Sequence, residues 1–197
     1  MPPDQPVKAV VWTIQYSAPP TILRYCKKCG RKSEYACSKE FRVNAQQKIL
    51  DIWLIYKCVC CKTTWNSTIY SRVSPQHIGA DLLERFHSND EILAMQYAME
   101  ASLLQKNGVE IKMPAYQVMG EEISLQKPSK IKIQSQYSLP LKISAILRAK
   151  LGVSQREFNA LLSTKQIQSS TGQDLKKCKL SSEVIISISD QEESGGD

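Results

Sequence analysis

Residues 25–62 read YCKKCGRKSEYACSKEFRVNAQQKILDIWLIYKCVCCK, and the cysteine spacing in this stretch decides how the amino-terminal part folds. Cys26 and Cys29 form one Cys-x-x-Cys pair and Cys58 and Cys61 a second, with 28 residues between the pairs. Each pair suits a tight knuckle whose backbone amides stabilise the sulfurs. The chain from Glu34 to Cys58 is long enough for a β-hairpin that brings the second knuckle back to the first. Four thiolates at about 2.3 Å from Zn2+ would then close a tetrahedral shell with no open position. The expected cofactor is therefore a structural Zn2+ on Cys26, Cys29, Cys58 and Cys61, which folds the domain rather than catalysing. Cys60 competes with Cys61 for the last position, and spacing matched to the first pair favours Cys61. The rival reading is a redox dithiol, which normally opens a helix in a βαβ setting that is missing here. Four thiolates and Zn2+ carry a net −2, which Lys27, Lys28, Lys57 and Lys62 are placed to offset. Cys37 and Cys178 read as ordinary core or surface positions.

Strand signals surround the cysteines. Lys8 to Tyr16 (KAVVWTIQY) is rich in Val, Ile and aromatics, and Pro19-Pro20 ends it. Glu34 to Val43, Lys48 to Cys58 and Thr63 to Val73 are three further strands, with Asn44 to Gln47 as the turn between the first two. Trp12 and Trp53 are expected in the core. Gly30, after the first knuckle, suits a left-handed turn.

The period changes after Ser74-Pro75. Ile78, Leu82, Leu83 and Phe86 recur at helical spacing. Ser88 and Glu91 read as a capping box that opens one helix running to about Lys106, stopped by Asn107-Gly108. Val109 to Val118 is expected to be extended and interrupted by Pro114. Ile131 and Ile133 alternate with Lys130 and Lys132, giving a short strand with a basic face. Leu141 to Leu151 and Ser154 to Thr164 are helices, the second opened by a Ser154/Glu157 capping box. Phe158, Leu161 and Leu162 face the core, Val184 to Ile188 is a last strand, and residues 190–197 form a flexible acidic tail.

Charge is unevenly spread along the 197 residues: residues 1–72 carry +8, 73–125 carry −5, 126–189 carry +8 and the last eight −4. Two basic segments attract polyanions through phosphate contacts and counterion release. No apolar run approaches the roughly 20 residues of a membrane-spanning helix, so no membrane partner is expected. Met1 to Val7 lacks the basic start and apolar core of a secretory signal, which points to the cytoplasm. There, clustered cysteines stay reduced and favour metal.

The run from Tyr25 to Asn66, followed by Ser71-Arg-Val73 and LLERFHSNDEILAMQYA, resembles an uncharacterised bacterial family, the domain of unknown function numbered ten-sixty-two. That resemblance implies no activity. Leu141 to Ile188 also resembles the RNA-binding module first named for the fourth protein of the small ribosomal subunit. Ser154, Leu161, Leu162, Ile167, Val184 and Ile185 stand at its characteristic positions. Lys165 stands where its Gly is usual, Gln168-Ser169-Ser170 replaces its Val-Asn-Gly, and Gln155 replaces its common Arg. The resemblance implies a small sheet with two helices and a basic surface for structured RNA. Here that surface would be Arg148, Lys150, Arg156 and Lys165, helped by Lys176, Lys177 and Lys179.

The expected architecture is α+β: a zinc ribbon-like β domain over residues 1–74, a helical middle over 75–125, and an RNA-binding-like module over 126–189. The expected function is non-enzymatic RNA binding, ribosome- or tRNA-associated, since no phosphate loop, nucleophile elbow or His-rich metal cluster is present. The alternatives are a protein-interaction or homo-oligomerisation module, and an enzyme with an unrecognised site. Arg42, Asn44, Trp65 and Asn66 form a candidate ligand-contact cluster near the zinc, set against a plain hairpin turn with a packed Trp.

Overall fold

The computed structural model describes residues 7–46 and 48–189, so Gln47 and the expected acidic tail lie outside the described residues. The chain runs β1 (Lys8–Tyr16), β2 (Thr21–Cys26), β3 (Arg31–Gln46), β4 (Ile49–Cys58) and β5 (Thr64–Val73). Four helices follow: α1 (Pro75–Ile78), α2 (Ala80–His87), α3 (Glu91–Ala98) and α4 (Ala101–Lys106). Then come β6 (Glu110–Lys112), β7 (Tyr116–Met119), β8 (Ser129–Ser135), α5 (Ile143–Leu151), α6 (Gln155–Ser163), β9 (Ile167–Ser169) and β10 (Glu183–Ile188). The fold is α+β. It divides into two compact units, one of Tyr16–Ala115 and one pairing the residues up to Gln15 with those from Tyr116 onward. This division differs from the boundaries expected at 74 and 125. The helices of the expected middle segment pack on the sheet that precedes them, and β1 joins the carboxy-terminal sheet.

The unit of Tyr16–Ala115 is built on an antiparallel sheet in the order β5-β4-β3-β2-β6. Strict alternation along β4 buries Leu50, Ile52, Leu54, Tyr56 and Cys58 on one face. The helices cover that face through Phe86, whose ring stands edge-on to Phe41 at 4.9 Å and stacks on Tyr97 at 5.7 Å. Trp53 alternates to the opposite face, half-buried beneath the Arg42 guanidinium at 5.9 Å, rather than in the expected core. The bulge in β3 between Cys37 and Phe41 is held by two side chains. Ser38 donates to the Ile55 carbonyl at 2.9 Å, and Asn89 Oδ1 accepts the Phe41 amide at 2.6 Å.

Three local readings change. The turn expected over Asn44 to Gln47 starts later, because Asn44, Ala45 and Gln46 still pair with Asp51, Leu50 and Ile49. Ser88 keeps helical angles and closes α2, so the cap of α3 is Asp90, whose Oδ1 accepts the Leu93 amide at 2.8 Å. The helix expected to reach Lys106 breaks at Glu100, which is extended (φ −85°, ψ 94°). At the end of α4, Asn107 acts as a surrogate strand. Its Oδ1 accepts the Thr68 amide at 2.8 Å, and its Nδ2 donates to the Thr68 carbonyl at 2.9 Å on the open edge of β5.

The other unit has a mixed sheet in the order β7-β1-β8-β10-β9, with β1 and β8 parallel and β10 antiparallel to both its neighbours. Trp12, Ile131, Ile133 and Ile186 are fully buried, as are Ile146, Leu147 and Phe158 of the helix pair. The Ser154/Glu157 capping box forms as expected. Leu161 and Leu162 are half-buried. Trp12 donates through Nε1 to the Glu121 carbonyl at 2.8 Å, pinning the turn after β7 against β1.

That turn depends on Gly120. It adopts φ 129°, and a Cβ there would lie 2.3 Å from the Val11 carbonyl oxygen and 2.8 Å from the Trp12 ring. Gly120→Ala is therefore expected to destabilise this unit by roughly 2–4 kcal/mol, combining backbone strain with overpacking. A denaturant titration should show the loss, and an unchanged midpoint would contradict the close approach.

Candidate metal centre

The two knuckles share one backbone design. Gly30 donates its amide to the Cys26 carbonyl at 2.9 Å, and Lys62 donates to the Cys58 carbonyl at 3.0 Å. Both residues are left-handed, with φ 67° at Gly30 and 63° at Lys62. Cys26 ends β2 and Cys58 ends β4, and both border β3, opposite Arg31 and Tyr35. The long central strand therefore sets the separation of the knuckles.

The sulfurs of Cys26, Cys29, Cys58 and Cys61 all lie within 4.8 Å of one another. Cys26 Sγ is 3.4 Å from Cys61 Sγ, and Cys29 Sγ is 3.9 Å from Cys58 Sγ. Four metal–sulfur bonds of about 2.3 Å in a tetrahedron place the sulfurs about 3.8 Å apart. The cluster thus has the dimensions of a closed four-sulfur shell and can hold one metal ion. Cys60 is exposed and stands outside the cluster, so the geometry selects Cys61. Cys26 and Cys58 are fully buried and continuous with the core of this unit.

Several groups aim at the sulfurs. The Tyr35 hydroxyl and the Cys29 amide hold the Cys26 thiol below its ordinary range. The Thr63 hydroxyl, 3.2 Å from Cys61 Sγ, and the Thr63 amide draw that thiol down to about 6. Hydrogen bonding with Cys61, then burial, pushes the Cys29 thiol up to about 12. Crowded sulfurs cannot all ionise by themselves, and a central cation removes that conflict. Arg24 lies two residues before Cys26. Its guanidinium sits 4.6 Å over the Trp65 ring and 5.7 Å over Tyr35. Arg24, Tyr35 and Thr63 belong to no motif in the sequence. Alternation back from Cys26 is the one signal that marks Arg24.

Of the four lysines expected to offset the thiolates, Lys57 pairs with Glu40 at 2.7 Å and Lys62 turns to the Val59 carbonyl, while Lys27 and Lys28 are exposed. The ligand-contact cluster does not assemble around one point. Trp65 packs on Tyr56 and Arg24, whereas its neighbour Asn66 takes the opposite face of the sheet. Arg42 and Asn44 pair across to Trp53 and Asp51.

A family model described as a protein of unknown function (DUF1062) matches residues 43–173. The chain belongs to this family. The match includes the second knuckle of the DUF1062 chain and begins after the first. No curated protein and no solved structure matches the chain. The resemblance of Leu141 to Ile188 to the ribosomal RNA-binding module has no counterpart among these comparisons.

In the unit that runs from Tyr116 onward, Arg148 and Lys150 lie on α5 and Arg156 on α6. Lys165 sits at the left-handed turn after α6 (φ 58°), and Lys176, Lys177 and Lys179 lie in the loop before β10. Lys165 and Lys176 line one groove of about 470 Å³ with Gln168, Ser169, Gln173 and Asp174.

Metal affinity should fall as the solution is acidified, because every ligand must lose its proton to bind. The metal must already displace the Cys29 proton at neutral pH, and the fall should steepen below about 6, where Cys61 also holds a proton. Chelator competition from about pH 8 to about pH 5 checks this. In the same assay Cys61→Ser should abolish tight binding and Cys60→Ser should leave it intact. The reverse would reassign the fourth ligand.

Proposed function

We propose that the chain is a zinc-stabilised, non-enzymatic RNA-binding protein of the cytoplasm, ribosome- or tRNA-associated. The ion is inferred from the donor set. Four thiolates with no open position suit structural Zn2+, and a reducing compartment keeps them available. The saturated shell leaves no site for substrate, which favours a non-enzymatic role.

The observation that supports RNA binding is a group of seven cations outside any ion pair on α5, α6, the turn after α6 and the loop before β10. Elsewhere Lys32, Lys39, Lys57 and Lys112 pair with Glu110, Glu91, Glu40 and Glu34, and Lys8 and Lys132 pair with Glu121 and Glu183. Among the described residues, none of Arg148, Lys150, Arg156, Lys165, Lys176, Lys177 and Lys179 belongs to an ion pair. Asp174, in the groove between Lys165 and Lys176, is used locally, accepting the Lys176 amide at 2.9 Å. Uncompensated cations grouped on two helices and the adjoining loop suit phosphates, with Arg supplying bidentate contacts and Lys point charges. A second reading, a protein-interaction module, draws on Tyr25 and Val59. These apolar side chains on the two knuckles are 62% and 42% exposed.

Binding to structured RNA should weaken with salt, and the double charge reversal Arg156→Glu with Lys165→Glu should weaken it further. It should also flatten the salt slope by about 0.7–0.9 for each phosphate that is no longer neutralised. Fluorescence anisotropy with a labelled structured RNA measures both. An unchanged isotherm would reject this surface, and a co-purifying protein or stable oligomer without RNA would favour the second reading.

A further inference from the structure

Arg24 is a cation in an unusual place. Its Nε and Nη1 atoms are buried and have no hydrogen-bond partner among the described residues. It projects from β2 on the same face as Ile22 and Cys26, both fully buried. Trp65 and Tyr35 give it an aromatic shelf at 4.6 and 5.7 Å, whose ring faces attract a cation. Stacking does not satisfy two buried donors, which are costly when left without a partner. A compensating negative field is needed. The sulfur cluster can supply it: Arg24 shares a face of β2 with Cys26 two residues on, and Tyr35, whose ring lies under the guanidinium, stands opposite Cys58. A divalent ion on four thiolates carries a net −2, which makes that field permanent.

We propose that Arg24 is the outer-shell cation of the metal centre. Clamped on Trp65 and Tyr35, it offsets the excess negative charge of the four-thiolate site, so that the ion binds more tightly and the sulfurs are less nucleophilic. The proposal rests on the metal reading above. It makes Arg24 a positioning residue that acts through the ligands without touching the ion. The planar guanidinium suits the role because it stacks on the indole and resists deprotonation, which a buried Lys does less well.

The test uses the full chain loaded with Zn2+, and with Co2+ for its visible spectrum. Arg24→Gln removes the charge and Arg24→Lys keeps it. Arg24→Gln should weaken Zn2+ binding by about tenfold or more in chelator competition, the usual scale for loss of an outer-shell partner. It should also speed thiolate alkylation by N-ethylmaleimide and shift the Co2+–thiolate absorption, with Arg24→Lys recovering most of each change. Equal losses in the two variants, or wild-type values in Arg24→Gln, would overturn the assignment. If Arg24→Gln fails to fold, Trp65→Leu removes the shelf instead. Weakened Zn2+ binding is expected there, and unchanged affinity would overturn the proposal equally. A wild-type chain that holds no ion by elemental analysis would sink the metal reading itself. A wild-type chain that holds one, with an indifferent Arg24→Gln, would sink only the role of Arg24.

Discussion

Sulfur atoms from two turns far apart in the chain must meet within one shell, and the unit of Tyr16–Ala115 is laid out by that requirement. β3 is long because it borders both knuckle-bearing strands, with Arg31 opposite Cys26 and Tyr35 opposite Cys58. The two knuckles reach the same backbone geometry with different residues, Gly30 in one and Lys62 in the other. A left-handed Lys costs on the order of 1–2 kcal/mol. Structural metal sites of this kind are worth on the order of 10–16 kcal/mol, comparable with the whole net stability of a domain. The local strain is therefore small beside the gain from ligation.

Lysine–carboxylate pairs occur in both units. In the unit of Tyr16–Ala115, carboxylates pair with Lys32, Lys57 and Lys112, and the Nε and Nη1 atoms of Arg24 are buried two residues before Cys26. On α5, α6 and the loop before β10 the cations belong to no ion pair among the described residues.

Much of this was legible in the sequence, for physical reasons that differ by element. Ile52, Leu54 and Tyr56 announce β4 through period-two burial, and Cys spacing announces the knuckles. Ser154 and Glu157 mark a helix start because both halves of the capping box are local. Readings failed where a partner lies far off in the chain. β2 occupies six residues between Pro20 and the first knuckle, and its alternation is visible only by counting back from Cys26. The membership of β1 in the carboxy-terminal sheet follows from parallel pairing with β8, which leaves no local trace. Ser88 and Asp90 are both acceptable caps, and only the backbone angles decide between them. The role of Arg24 depends on Tyr35 and Trp65 on other strands, so a composition-based search for compensating charge finds the nearby lysines instead.

The amide of Asn107 has a consequence for how this protein behaves at high concentration. β5 is the outermost strand of its sheet, and such an edge offers free peptide groups to any passing extended chain. By occupying both the donor and the acceptor of Thr68, Asn107 interrupts that template midway along the strand. A neighbouring molecule cannot zip onto β5 over its full length. One carboxamide at the end of a short helix thus guards against sheet-to-sheet polymerisation.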